Sequence, residues 1–157
     1  MLKTFLRDCG GNNLIEGALV TPLLLLLTFG IVDFASLFYV YVSMESGISQ
    51  ATRFAVTGAT KEDPDSPGTP MGREGTIRAA MKEATSTLDV DAMTFTFSHM
   101  TPGSTTWAGG AGGPGDIGRV SVAYTWKPLT PILGPFLTDG RMSLSVESAM
   151  KIEPKWE

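Results

Sequence analysis

Two carboxylates, Glu16 and Asp33, stand inside a run from Leu14 to Val42 that holds no lysine or arginine and is rich in leucine, valine and aromatic residues. An acid on a lipid-facing helix costs about 2.5–3.5 kcal/mol at the bilayer centre, so a helix carrying two needs groups that donate hydrogen bonds or positive charge to them. Each acid also has a plainer reading. Glu16 fits an ordinary interfacial charge at the headgroup level, and Asp33 fits a side chain facing water or a neighbouring helix in a bundle. Gly11 lies five residues before Glu16, at the end of a short leader, MLKTFLRDCGG, that carries Lys3 and Arg7.

The remaining reactive residue types are sparse. His99 is the only histidine, and Cys9, the only cysteine, lies in the leader. Beyond the leader neither a His/Cys zinc site nor a cysteine nucleophile can be built. Leu6-Arg7-Asp8-Cys9 is not a lipidation signal, because no apolar segment precedes it. The cluster Glu62, Asp63 and Asp65 lacks the aspartate-rich loop and closing glutamate of a calcium site, and reads as a solvated turn. Gly110, Gly112 and Gly115 form a literal GxGxxG. A dinucleotide loop must lead from a strand into a helix, whereas Pro114 interrupts this one and a strand pattern follows, so the segment reads as a flexible surface loop. No G-x-S-x-G or GK[ST] occurs. The sequence nominates no catalytic residue, no metal and no cofactor.

The element that must position the two acids is the apolar run itself, which exceeds the roughly 20 residues a helix needs to cross a bilayer. Its apolar length exceeds that of a signal-peptide core, and no A-x-A-like site follows it, so it reads as a retained anchor. Lys3 and Arg7 precede it and only Arg53 follows closely, which places the N-terminus in the cytoplasm and the C-terminal part outside, in a single-pass arrangement. Pro22 and Gly30 are of the kind tolerated in membrane helices. Past Val42, Ser43, Gly47, Ala51 and Ala55 recur at every fourth position and share one helix face. Such a stripe lets another backbone approach closely. It seats either a neighbouring helix or, over its distal half, the chain's own sheet. Gly58 is the expected stop.

The pattern of glycine, four residues, glutamate and an apolar helix resembles the cleavage site of type IV prepilins. More narrowly, Glu16, Ala18-Leu19-Val20, Pro22, the leucines 23 to 27, Gly30, Asp33-Phe34, Leu37-Phe38-Tyr39 and Arg53 resemble the TadE-like family of tight-adherence (Flp) pilus systems. Gly17 stands where an aromatic usually follows the glutamate, Asp33 replaces the commoner glutamate, and Ala51-Thr52-Arg53 is a reduced form of the family's ending. The resemblance implies cleavage between Gly11 and Asn12 by a prepilin peptidase. It implies that Glu16 faces the new terminal amine of a neighbouring subunit, and that the partners are other pilin or pseudopilin subunits and the pilus assembly platform. The implied role is structural, that of a minor pilin or pseudopilin. Two other readings stay open: a tip-located adhesin that uses the glycine-rich and proline-rich loops, and an uncleaved membrane-anchored scaffold.

The rest of the chain reads as one small α+β domain. Thr60 to Gly72 is polar and proline-rich, a loop or linker. Ile77, Met81, Ala84 and Leu88 then mark an amphipathic helix. Three segments alternate with period two: Met93, Phe95 and Phe97; Val120, Val122, Tyr124 and Trp126; Met142, Leu144 and Val146. These predict a small antiparallel sheet with one buried face, covered by the two helices. Lys127 to Leu137 is too proline-rich for a central strand; its apolar side chains serve either as a subunit contact or as a plug at one end of the sheet. Trp107 either contacts another subunit or tucks into the core. The expected divisions are a leader at 1–11, a long helix at 12–58 with its span near 14–42, and an extracytoplasmic domain at 59–157. The chain carries a net charge of −4; without Lys3, Arg7 and Asp8, ten basic and fifteen acidic side chains give −5. That balance points away from nucleic acid and toward protein and membrane lipid as partners.

Overall fold

The computed structural model describes residues 9–57, 60–64 and 66–153, with side chains described from Asn13 onward except that of Ala55. Most of the leader, Gly58 and Asp65 therefore lie outside the described residues. Helix α1 runs from Cys9 to Val56, 48 residues without a break, with Pro22 inside it. Pro22 has no N–H to give the preceding turn. Nearby hydroxyls are absorbed by the helix itself: Thr21 Oγ1 donates to the Gly17 carbonyl at 2.7 Å and Thr28 Oγ1 to that of Leu24 at 2.8 Å. Such local pairing suits a helix whose surroundings supply no water.

The fold divides into two compact units. One comprises the chain up to Leu37 together with Lys127–Arg141, and the other comprises Phe38–Trp126 with Met142 onward. In the second unit a two-stranded ribbon, β1 (Glu62–Asp63) and β2 (Ser66–Pro70), precedes α2 (Arg73–Ala84). The stretch expected to be an unstructured linker is thus a small antiparallel ribbon. Its prolines are tolerated because each strand has only one partner and so an outer edge that needs no N–H.

Four strands form the main sheet: β3 (Thr94–Met100), β4 (Ala108–Gly109), β5 (Ile117–Trp126) and β6 (Met142–Lys151), in the order β4-β3-β5-β6 with every neighbour antiparallel. The register puts Phe95 opposite Val122 and Val122 opposite Val146, so the alternation seen in the sequence becomes one apolar rank across three strands. The core of this unit combines that rank with Met44, Ile48 and Ala51 of α1 and Ile77, Ala80 and Met81 of α2. The architecture is α+β, as expected. Two details differ. Met142 is exposed at the start of β6. The buried face of α2 is Thr76, Ile77, Ala80 and Met81, while Ala84 and Leu88 are only partly covered. The helix ends at Ala84, where Thr85, itself buried, gives both its N–H and its hydroxyl to the Met81 carbonyl.

Gly47 explains how closely α1 packs within this unit. A methyl group built there would run into Thr85 Cγ2 and lie 3.4 Å from Met81 Cγ. Ala51, one turn on, is fully buried. Thr52 Oγ1, about 100° round the helix from Ala51, lies 3.0 Å from Ser148 Oγ of β6, so an adjoining face of α1 meets the sheet. At Gly47 the small-residue stripe seats α2 of its own chain. Alanine is a better helix former than glycine by about 1 kcal/mol, yet Gly47→Ala is expected to destabilise this unit by about 1–3 kcal/mol through overpacking. Thr85→Ser, which removes the obstructing methyl, should recover most of that loss when combined with it. Thermal unfolding of the four proteins of this cycle in detergent checks both.

Candidate functional site

The first turn of α1 contains Gly10 and Gly11, two residues that each cost a helix about 1 kcal/mol relative to alanine. The Gly11–Asn12 bond falls inside this turn, so the bond that the resemblance marks for cleavage sits where the helix is intrinsically weakest. One turn later, Glu16 is exposed among Leu14, Ile15 and Leu19, all more than two-thirds exposed. Glu16 makes no hydrogen bond or ion pair among the described residues.

Asp33 is the opposite case. It is 0 % exposed, and both its carboxylate oxygens are used by one residue: the Thr130 backbone N–H donates to Oδ1 at 2.9 Å and the Thr130 hydroxyl to Oδ2 at 2.5 Å. Hydrogen bonds to a charged group contribute roughly 1.5–3 kcal/mol each, and the pair offsets the cost of taking this carboxylate out of water. The two acids that look alike in the sequence thus separate into one satisfied within the chain and one left bare.

Thr130 belongs to the proline-rich segment Lys127–Arg141, which contains two 3-10 turns, Gly134–Phe136 and Thr138–Gly140, with Asp139 in the left-handed region at φ 53°. The irregular backbone expected here is what forms. Leu129 and Phe136 are 71 % and 81 % exposed, and Ile132 and Leu133 are partly covered. Nothing in the sequence marks Thr130, a threonine among prolines with no periodic neighbour, as the partner of a residue 97 positions away.

The remaining sequence-level candidates do not meet at a centre. Pro22 is exposed, and a Cβ built at Gly30 would meet nothing within 4 Å. Gly47 and Ala51 are internal packing positions, and the side chain of Ala55 lies outside the description. The glycines 110, 112 and 115 all have positive φ. Their loop is closed on its own chain rather than free. The Gly110 N–H donates to the Phe97 carbonyl at 3.0 Å, that of Gly113 to Asp116 Oδ2 at 2.8 Å, and that of Gly115 to the Ile152 carbonyl at 2.8 Å. With those amides consumed and β5 following, no phosphate cradle is formed. His99 Nδ1 lies 3.2 Å from the Gly110 carbonyl oxygen and so belongs to the same closure. The Arg119 guanidinium covers the half-exposed Trp107 ring at 3.8 Å and reaches Ser98 and Glu147. Among the described residues no group of three or more His, Cys, Asp or Glu side chains is placed to hold a metal.

The Asp33–Thr130 pairing makes a specific prediction. In Asp33→Ala the Thr130 amide loses its acceptor, and its hydrogen exchange should speed up roughly 10- to 100-fold, corresponding to the 1.5–3 kcal/mol of one charge-assisted bond. Thr130→Val keeps the amide donor and should give a smaller acceleration at the neighbouring amides. Exchange measured by mass spectrometry on the detergent-solubilised chain checks both.

One helix, Asn13–Phe54, is long and apolar enough to cross a membrane, with a best window of mean hydropathy 2.2, and is a candidate anchor. No curated protein and no solved structure is significantly similar to the chain. Residues 14–53, which include both Glu16 and Asp33, match the family model described as TadE-like protein, so the likeness covers the helix that carries the two acids.

Proposed function

We propose that this protein is a single-pass, pilin-like assembly component, a minor pilin or pseudopilin of a Tad pilus or a related secretion machine, and that it works by subunit association rather than catalysis. The TadE-like match implies a Tad pilus-associated protein of a generally structural family. The observation that carries the finer reading is Glu16: exposed on an apolar helix, without a partner among the described residues, and five residues after Gly11.

In this reading a prepilin peptidase cuts between Gly11 and Asn12 and creates an α-amine at the head of the helix. That amine on one subunit is the cation that Glu16 of the next subunit lacks. Pairing them removes two uncompensated charges from the apolar boundary at once, and one broken partner leaves the other stranded. The leader lies on the cytoplasmic side, the part beyond the helix lies outside, and the assembly platform and other pilin subunits are the partners.

N-terminal sequencing of the protein recovered from membranes of pilus-producing cells should find Asn12 first; a start at Met1 or Leu2 removes the pilin route and leaves a permanent anchor. Glu16→Gln should leave membrane insertion intact and reduce recovery with sheared pili by about tenfold or more, the equivalent of about 1.4 kcal/mol of lost pairing. Undiminished recovery would make Glu16 an ordinary interfacial charge.

A further inference from the structure

We infer that the segment Lys127–Arg141 is a membrane-interface anchor, held on α1 by Asp33 so that Leu129 and Phe136 enter the headgroup and upper acyl region of the outer leaflet. The inference rests on α1 crossing a membrane and adds where the span ends and what flanks it.

Depth follows from what the hydrocarbon cannot hold. Non-helical backbone is not tolerated facing lipid at membrane depth, and this segment is irregular, exposed and carries Lys127, Asp139 and Arg141, all exposed. Because Thr130 is bonded to Asp33 through both its N–H and its hydroxyl, the hydrocarbon must end at about the level of Asp33. The twenty residues from Leu14 to Asp33 rise about 30 Å as a helix, which is the thickness of the hydrocarbon core. Beyond that point α1 presents exposed Tyr39 and Tyr41, a residue type enriched in the aromatic belt at a bilayer surface. A segment fixed at that level, with two highly exposed large apolar side chains and flanking cations, has the composition of a peripheral anchor: apolar groups to bury and positive charge for anionic headgroups.

The test uses the full chain with Cys9→Ser as background, one copy per nanodisc of phosphatidylcholine and phosphatidylglycerol. Single cysteines introduced as Leu129→Cys, Phe136→Cys and Leu25→Cys carry an environment-sensitive fluorophore. Nitroxide-labelled phosphatidylcholine quenches it from either high or deep on the acyl chain. The probes at 129 and 136 should be quenched more by the shallow nitroxide than by the deep one, and the probe at 25 more by the deep one. Adding Asp33→Ala should abolish most of the shallow quenching at 136 while leaving residue 25 unchanged. Probes at 129 and 136 that are open to aqueous iodide and untouched by either nitroxide, with residue 25 quenched, overturn this inference alone. Loss of quenching at residue 25 as well overturns the membrane-span reading beneath it.

Discussion

A carboxylate on an apolar helix has to be met by donors, and the way each of two acids is met organises this molecule. Asp33 is met from within: one threonine, far away in sequence, supplies both a backbone and a side-chain donor. That contact requires the proline-rich segment to return to α1, and the helix up to Leu37 and the segment belong to one compact unit. Glu16 has no such answer among the described residues. If its counterpart is the amine of a neighbouring subunit, a lone chain carries a single unmet charge near one end of its span, and association has a definite chemical target.

The second unit rests on shape more than charge. Gly47 lets α2 approach α1 at a distance that a methyl group would forbid, and Ile77 and Met81 then bury against the helix and sheet. Polar contacts in this core are few: the long-range pair Thr52 and Ser148, and the local bond of Thr85 to Met81. Among the described residues no buried side-chain nitrogen or oxygen lacks a partner.

Much of this was legible in the sequence because the signals are local and periodic. The apolar run gave α1, period-two alternation located β3, β5 and β6, and the inward residues Phe95, Val122 and Val146 lie where alternation put them. The misreadings fall where tertiary contact overrides local pattern. The residues around Glu62 and Ser66 pair as a ribbon although their prolines suggest a loop. The glycine-rich loop reads as free surface, yet its amides close onto Phe97, Asp116 and Ile152, contacts set by the sheet's register. The partner of Asp33 was not legible, because a single threonine, Thr130, in an aperiodic segment leaves no trace in any local window.

The same contact bears on the length of the apolar run under the proposed membrane-span reading. Leu14 to Val42 is 29 residues, about 43 Å of helix, against about 30 Å of hydrocarbon. Tilt alone could absorb the surplus, but the side chains argue for another use. Past Asp33, the exposed residues include Tyr39 and Tyr41, suited to an interface, while Val40 and then Met44 are buried in protein. On the proposed reading of α1 as a membrane span, apolar character there goes to packing and to the bilayer surface rather than to depth. The length of the run then follows from two jobs in succession, and Asp33, whose carboxylate Thr130 satisfies, would mark where the first gives way to the second.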